Sequence, residues 1–572
     1  MTITTIRGIA ASPGIATGPV FRYEAGKVTV KQQHVEDVQR EIARLDAARK
    51  QAKEEIHTLL LRARESIGSK EAAVFEAHEL FLDDPDLLQQ VHATIQAQSV
   101  NAAYAWQEGI AQYAAQLRAL GDEYLAARAA DVEDVAQRVL RILEGIAAPG
   151  SKLAEPVVLV ATDLTPSDTM LFDKEQVRAF CTATGSATSH VAILAKALGI
   201  PAVTGLGVEV NQLRNGMQVV VDGTTGEILL EPDAETLATY QQRAETLTQI
   251  QQDALRLAQR PAMTLDGVYK EVVANIGAPE QAAEALAYGA EGVGLLRTEF
   301  LFLEREAAPD EDEQVAVYRS VLETMGTRPV VVRTFDIGGD KPAPYLSMPA
   351  EDNPFLGVRG IRLALAKPDI FQTQLCALLR AGVGHALKLM FPMVATGEEV
   401  RAIRDHLQQA VAMLAARGVN YTEQFEVGIM VELPAAALMA DVLVEQVDFF
   451  SIGTNDLAQY TLAADRTNPA VVTLADALHP AVLRLIRMVI EAAHARGKWV
   501  GLCGELAGDL LAIPVLLGLG LDEFSVTPRS VPLVKQVLRQ YSVSEAREIA
   551  RHALTQGSAS EVRAYLLSVK RS

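Results

Sequence analysis

Three cysteines in 572 residues, Cys181, Cys376 and Cys503, are too few and too far apart for a disulfide framework or a cysteine-built zinc site. Long apolar runs are missing as well, since none approaches the ~18 residues that span a bilayer. The opening MTITTIRGIAASPGIATGPV has no charged region followed by an apolar stretch. No signal peptide is therefore expected, and a soluble, cytoplasmic protein is. Bases are outnumbered by acids. With 52 Lys and Arg against 72 Asp and Glu the net charge is −20. That balance opposes nucleic acid and anionic membrane as partners, because both call for clustered cations. What remains, 49% hydrophobic and 22% charged residues, is the balance of a soluble globular enzyme, long enough for three or four domains.

The patterning divides the chain. Between residues 33 and 67, Val35, Val38, Ile42, Leu45, Ala52, Ile56, Leu59, Ala63 and Ile67 recur at helical spacing and predict a long amphipathic helix ending near Gly68. Helical pattern resumes at residues 70–98, interrupted at Pro85, and runs on to about residue 146. Residues 23–146 thus read as a helical bundle. Residues 150–232 alternate β-branched runs with turn residues, and VVVDGTTGEILLEP (219–232) reads as a hairpin. The strand-like RGIAASPGIATGPVF (7–21) is too short to stand alone, so residues 1–22 are expected to join 147–232 in one α/β unit with the bundle inserted. Residues 233–260 are polar and helical, and 234–259 lack glycine, which suits a stiff connector. From residue 261 to 572 eight strand segments alternate with helical stretches, the signature of a (β/α)8 barrel.

Candidate chemistry lies in two places. In TGSATSHVAILAK (184–196), His190 sits where a loop becomes a helix. It is either part of a Ser- and Thr-rich cap or a nucleophile beside an anion-binding helix start. In the barrel half, charged residues end the apolar strand runs: Arg297, Arg333 with Asp336, Glu432, Asn455 with Asp456, and Cys503 with Glu505, while Arg359 and Arg466 lie in adjoining loops. Arginines clamp phosphate and carboxylate, and two carboxylates suit Mg²⁺. This pattern points to a small phosphorylated acid held through a metal. Cys503 is either a small buried hydrophobe or a chemical group.

Taken together, EGVGLLRTEFLF (291–302), RTFDIGGDK (333–341), NPFLGVRGIR (353–362), VELP (431–434), SIGTNDLAQYTLAADR (451–466) and GLCGELAGD (501–509) resemble the barrel motifs of enzyme I of the bacterial phosphoenolpyruvate-dependent sugar phosphotransferase system. ASPGIATG (11–18), DLTPSDT (163–169) and TSHVAILAKALGIPAV (188–203) resemble its N-terminal half. The resemblance implies a swivelling phosphohistidine domain. His190 would accept the phosphoryl group on Nε2, with Thr169 orienting the ring, and pass it to a histidine of the carrier protein HPr. It also implies phosphoenolpyruvate binding by Arg297, Arg333, Arg359, Asn455, Asp456 and Arg466. Glu432 and Asp456 would hold Mg²⁺, Cys503 would protonate enolpyruvate, and the barrel half would form a homodimer. Leu80, Phe81 and Leu82 beside Glu76, Glu79, Asp83, Asp84 and Asp86 would be the carrier's docking surface, or else an ordinary solvated helix end. One motif departs from the family: Ala183 stands where an Asp is usual, and Ser186 and Ala187 replace a glycine and an arginine. A fructose-branch or nitrogen-regulatory paralogue with the same chemistry is the alternative. A pyruvate-phosphate dikinase or phosphoenolpyruvate synthase would need an ATP-binding domain, and residues 1–146 hold no glycine-rich phosphate loop. A catalytically silent regulatory protein would have no use for His190, Glu432, Asp456 and Cys503.

Overall fold

A computed structural model describes residues 4–23, 28, 30–66, 69–119, 123–146, 155–169, 176–186, 189–303, 305–339, 343–346, 351–468 and 470–571. The chain divides into two compact units, residues 1–249 and 250–572.

In the first unit three short strands open the chain: β1 (Thr4–Arg7), β2 (Ile9–Ser12) and β3 (Ile15–Arg22). Five helices follow, α1 (Val38–Ser66), α2 (Ser69–Phe81), α3 (Pro85–Gln98), α4 (Ala102–Ala119) and α5 (Glu123–Leu143). The sheet then resumes with β4 (Val157–Ala161), α6 (Pro166–Thr169), β5 (Val177–Thr182), α7 (His190–Leu198), β6 (Ala202–Thr204), β7 (Gln218–Asp222) and β8 (Glu227–Leu230). Strand order is β1-β8-β7-β3-β4-β5-β6-β2. Because β3 and β4 are parallel neighbours, all five helices are an insertion between two adjacent strands. Residues of β4 and β5 such as VVLVA are buried on both faces, as central parallel strands require, and a separate apolar cluster lies on each side of the sheet.

The bundle has its own core. Leu45, Ala52, Ile56 and Leu59 of α1 meet Val91, Ile95 and Trp106, so the helical spacing read from the sequence is the buried stripe. Pro85 begins a helix as well as ending one. It occupies the first turn of α3, where a missing N–H costs nothing, and the Asp84 carboxylate caps the N–H groups of Asp86 and Leu87. Beyond β8, α8 (Ala234–Arg256) buries only Ala254.

The second unit starts with β9 (Ala262–Met263), a two-residue strand antiparallel to the next and too short to show in any sequence pattern. Eight parallel strands follow: β10 (Tyr269–Ile276), β11 (Val293–Leu296), β12 (Val330–Arg333), β13 (Leu387–Phe391), β14 (Glu426–Val431), β15 (Phe449–Ile452), β16 (Trp499–Leu502) and β17 (Glu523–Val526). Pairing of β10 with both β11 and β17 closes the barrel, and each strand falls within one of the eight predicted segments. Leu295, Val331, Met390, Met430 and Phe449 fill the interior, which is a packed core and not a pore.

The strand starts make a charged floor below that core. Trp499 stacks on Phe449 at 4.4 Å, and the Lys388 ammonium lies 4.1 Å from the Trp499 ring centre. Glu426 accepts a 3.0 Å hydrogen bond from Trp499 Nε1 and sits 3.4 Å from Lys388. Glu523 is buried, and burial, then the neighbouring Glu271, raises its carboxyl well above the usual range. The folded protein therefore holds this proton more tightly than the unfolded chain does. Stability from it is full below the unfolded pKa of about 4.3 and is lost as pH rises towards the raised value. Thermal scans at about pH 5 and about pH 9 should show the wild type losing more of its midpoint than Glu523→Gln, by a few degrees. Equal losses would mean that Glu523 is ionised in the fold.

Candidate active site

Each strand of the barrel delivers its last residues to the same end. Arg297 follows β11, Arg333 ends β12, Glu432 follows β14, Asn455 and Asp456 start the helix after β15, and Cys503 follows β16. These six, with Asp336 and Arg466, line a cavity of about 170 Å³. That is smaller than the ~300–1,000 Å³ of a drug-sized ligand site and suits a compact metabolite.

The charges beneath the cavity are paired in sequence. Arg333 Nη2 donates to Glu299 Oε1 at 2.9 Å, and its Nη1 lies 3.5 Å from Asp336 Oδ2. Glu299 Oε1 also accepts the Asp336 N–H at 3.0 Å. Arg359 grips Asp336 with both Nη2 (2.7 Å) and Nε (3.3 Å), then reaches Asp456 Oδ1 at 3.4 Å. Asp456 lies between Arg359 and Arg466, whose Nη2 is 3.7 Å away. Burial works to lower the pKa of Arg333 and Arg359, but the carboxylates around them outweigh it and raise both. Arg297 stays open to solvent at the mouth, and crowding by the barrel followed by the Arg333 charge lowers its pKa. Arg333 keeps one buried N–H, on Nε, without an acceptor among the described residues.

Glu432 is held differently. Its Oε1 accepts the Met393 amide N–H at 2.6 Å, and burial, then Asp456 and Asp336, raises its carboxyl against the pull of Arg359 and Arg333. Among the described residues no group of three or more His, Cys, Asp or Glu closes on a point as a metal cage would. Glu432 and Asp456 do offer hard oxygens of mutually repelling charge, the kind of partial ligand set that Mg²⁺ completes with water and substrate. Burial pushes the Cys503 thiol up to about 11, so it keeps its proton at neutral pH. Asn275, at the end of β10, donates to the Cys503 carbonyl at 2.9 Å and to the Ser525 carbonyl at 3.0 Å.

Eight of the residues singled out in the barrel half thus meet in one cavity. Arg359 does not line it, being buried behind Asp336 and Asp456. Glu299, Asn275 and Met393 escaped the sequence reading. A signal for Glu299 was present in RTEF, two residues after Arg297, and for Asn275 in a polar residue closing an apolar strand, but Met393 offers none because only its backbone is used. In the first unit His190 opens α7 and Thr169 closes α6, which packs beside it. Ser189 holds the cap position of α7, yet its hydroxyl donates to the Ser186 carbonyl at 2.8 Å and caps no amide. Ala183 is half-buried against the sheet, Ser186 is exposed, and Ala187 lies outside the described residues. At residues 80–82 the buried Leu82 is what a solvated helix end with core leucines calls for, and Leu80 is the residue left for a docking surface. Leu80 is 76% exposed, Phe81 packs edge-on against Tyr113, and Leu82 is bundle core at 1%. Asp83 is engaged by Arg49 and Lys53 and Glu79 by His57, so part of the acidic rim is neutralised by α1 itself.

The sequence matches three family descriptions: PEP-utilising enzyme, N-terminal, over residues 7–128; PEP-utilising enzyme, mobile domain, over 153–226; and PEP-utilising enzyme, PEP-binding domain, over 251–543. It is 48% identical to the phosphoenolpyruvate-protein phosphotransferase of Geobacillus stearothermophilus over 98% of this chain and 97% of that one. With the protein of the same name from Bacillus subtilis it shares 44% over 98% and 99%. An NMR solution structure of Enzyme I (nEIt) is 40% identical across 42% of this chain and 99% of its own, with a TM-score of 0.38.

Asp336 is the anion that both buried guanidiniums share, and the test of the network follows from that. Asp336→Ala should destabilise the barrel by about 3–5 kcal/mol in urea unfolding, the penalty for stranding buried charge. A loss under about 1 kcal/mol would show that Arg333 and Arg359 are neutralised elsewhere.

Proposed function

The chain belongs to the phosphoenolpyruvate-utilising enzymes as a relative of the phosphoenolpyruvate-protein phosphotransferases, and from that membership we propose that its barrel takes the phosphoryl group of phosphoenolpyruvate and His190 carries it to a carrier protein of the HPr type. The observation that carries this reading is the cavity itself, where arginines, the carboxyls of Glu432 and Asp456 and a protonated thiol converge at the strand ends. Residues 1–22 with 147–232 are the phosphohistidine part and 23–146 the docking part. Residues 233–260 connect them to the substrate part, 261–572. No observation favours a fructose-branch or nitrogen-regulatory paralogue.

Charge arithmetic supports the division of labour. Arg297, Arg333, Arg359 and Arg466 are balanced by Glu299, Asp336, Glu432 and Asp456, four against four. A substrate carrying phosphate and carboxylate adds close to three negative charges. When bound, Mg²⁺ held by Glu432 and Asp456 would offset most of that added negative charge. Arg297, Arg333, Arg466 and Asn455 bind and orient the substrate, and Arg359 holds Asp456 in place from behind. The P–O bond of phosphoenolpyruvate breaks as a P–N bond forms at His190 Nε2, and the enolate left behind takes the Cys503 proton on its methylene carbon to give pyruvate. The thiolate is then reprotonated from solvent. Such transfer depends on positioning and electrostatics, which a prepaired arginine set provides. At the receiving end, the start of α7 has amides that its N-cap residue Ser189 does not cap, a suitable place for a phosphoryl group on the helix's first residue. Thr169, closing the adjacent α6, orients the ring. Exposed Leu356, Val358, Leu438, Met439, Val442 and Leu474 on the barrel unit support a homodimer made through that unit.

Phosphorus-labelled phosphoenolpyruvate tests the two chemical roles together. Wild type should form an acid-labile phosphoprotein and pass its label to HPr. His190→Ala should bind substrate and acquire none, and label retained there would remove His190 from the scheme. Cys503→Ala should still be labelled, while pyruvate release slows about 10²- to 10⁴-fold and deuterium from heavy water enters both faces of the methyl-forming carbon. Unchanged release with single-faced delivery would leave Cys503 a packing residue.

Sedimentation of the full chain should give a concentration-dependent monomer–dimer equilibrium that Leu356→Glu with Leu474→Glu shifts to monomer. A wild type that stays monomeric at every concentration would rule out the dimer.

A further inference from the structure

Four described residues other than glycine have left-handed backbone: Ser99, Glu231, Met393 and Ala463. Ser99 and Ala463 end helices, Glu231 follows β8, and none of these three is buried. Met393 is the exception. It has φ +60°, is 1% exposed, and sits two residues past β13 beside the cavity. An L residue in this conformation crowds its Cβ against backbone and persists where its surroundings over-determine it.

The surroundings here are specific. Across from Met393 lies Gly360, at φ +56°, where an added Cβ would come within 2.9 Å of Met393 Cβ and Cγ. The next amide, Ile361 N–H, donates to the Pro392 carbonyl at 3.2 Å. These contacts hold the segment against the loop that carries Arg359. The amide of Met393, turned by that conformation, makes the 2.6 Å bond to Glu432 Oε1. Among the described residues it is the one hydrogen bond the Glu432 carboxylate receives, although Arg333 and Arg359 are near enough to be felt electrostatically. The other oxygen, Oε2, lies over Gly453, a residue of the cavity wall, 3.2 Å from where a Cβ would stand.

We propose that Met393 is a positioning residue for the divalent cation: its left-handed backbone aims the amide N–H at Glu432 Oε1 and so leaves Oε2 turned to the cavity for the ion. The inference rests on Glu432 being a metal ligand. It assigns a role to a backbone conformation and none to the thioether, which separates it from a packing role.

The separation sets the experiment: Mn²⁺ titrated into the full chain without substrate, with free Mn²⁺ followed by electron paramagnetic resonance. Met393→Gly keeps the amide and tolerates positive φ but loses the whole side chain. Met393→Ile keeps the volume but is β-branched and resists that φ. The expected order of Mn²⁺ affinity is wild type and Gly within about threefold, with Ile weaker by about tenfold or more, the range of outer-shell losses. If packing were what mattered, Gly would be the weakest. An Ile variant that binds as wild type, or a Gly variant weakened tenfold, overturns the proposal. Should Ile not fold, the Gly result alone decides. Glu432→Gln run alongside should bind at least tenfold more weakly. If Glu432→Gln binds Mn²⁺ as wild type does, the ligand assignment itself is wrong and the proposal falls with it. If Glu432→Gln loses Mn²⁺ and Gly does too, only the role of Met393 is wrong.

Discussion

Charge taken out of water has to be answered by charge, and at the mouth of this barrel that demand is met chiefly by Asp336. Its carboxylate is gripped by Arg359 on two atoms and lies against Arg333, whose own second partner, Glu299, also takes the Asp336 amide. Removed from solvent, each ion would be prohibitive alone; together they form a lattice in which no arginine can swing without stranding another. The cavity above it inherits that rigidity. Guanidiniums that are already aimed lose little freedom when an anion arrives, so their attraction goes into binding the reacting group.

Two groups escape the lattice, one carboxyl and one thiol, and they are the informative ones. Glu432 has a peptide N–H for a partner where its neighbours have guanidiniums, and it feels both Asp456 and Asp336. An acid in that position is more comfortable beside a cation than beside nothing. Opposite it, Cys503 is surrounded by Leu295, Met430 and Phe449 and keeps its proton because thiolate would be poorly solvated there. A single rim thus offers one group short of positive charge and another holding a proton it is reluctant to lose.

How much of this was legible in the sequence depends on which part of a residue does the work. Strands β10 to β17 announced themselves as apolar runs, several of them closed by charge, because parallel strands covered on both faces need continuous hydrophobicity. Helix α1 announced itself through the spacing of Leu45, Ala52, Ile56 and Leu59, which is the spacing of its buried stripe. Side chains that act at strand ends were legible for the same reason. Backbone that acts was not: nothing in FPMV distinguishes a methionine used for its amide. Nor does sequence adjacency report direction. Leu80 and Leu82 are two residues apart on one helix end, and one faces water while the other fills the bundle. Arg359 was recognisable as an arginine with an anion to hold, but that its anions would be Asp336 and Asp456 emerged only from the fold.

The insertion between β3 and β4 also has a consequence for how the molecule is made. Its first strand pairs with its last in the sheet, Thr4 opposite Leu230, so β1 waits on the ribosome until 226 more residues have been added. At ordinary elongation rates that is roughly 10 to 45 s. During that interval the five helices, whose contacts are near in sequence, can complete their own core, while the opening strands have no partners. A chain emerging from synthesis therefore carries a finished bundle on an unfinished sheet, and its earliest residues are among the last to find their place.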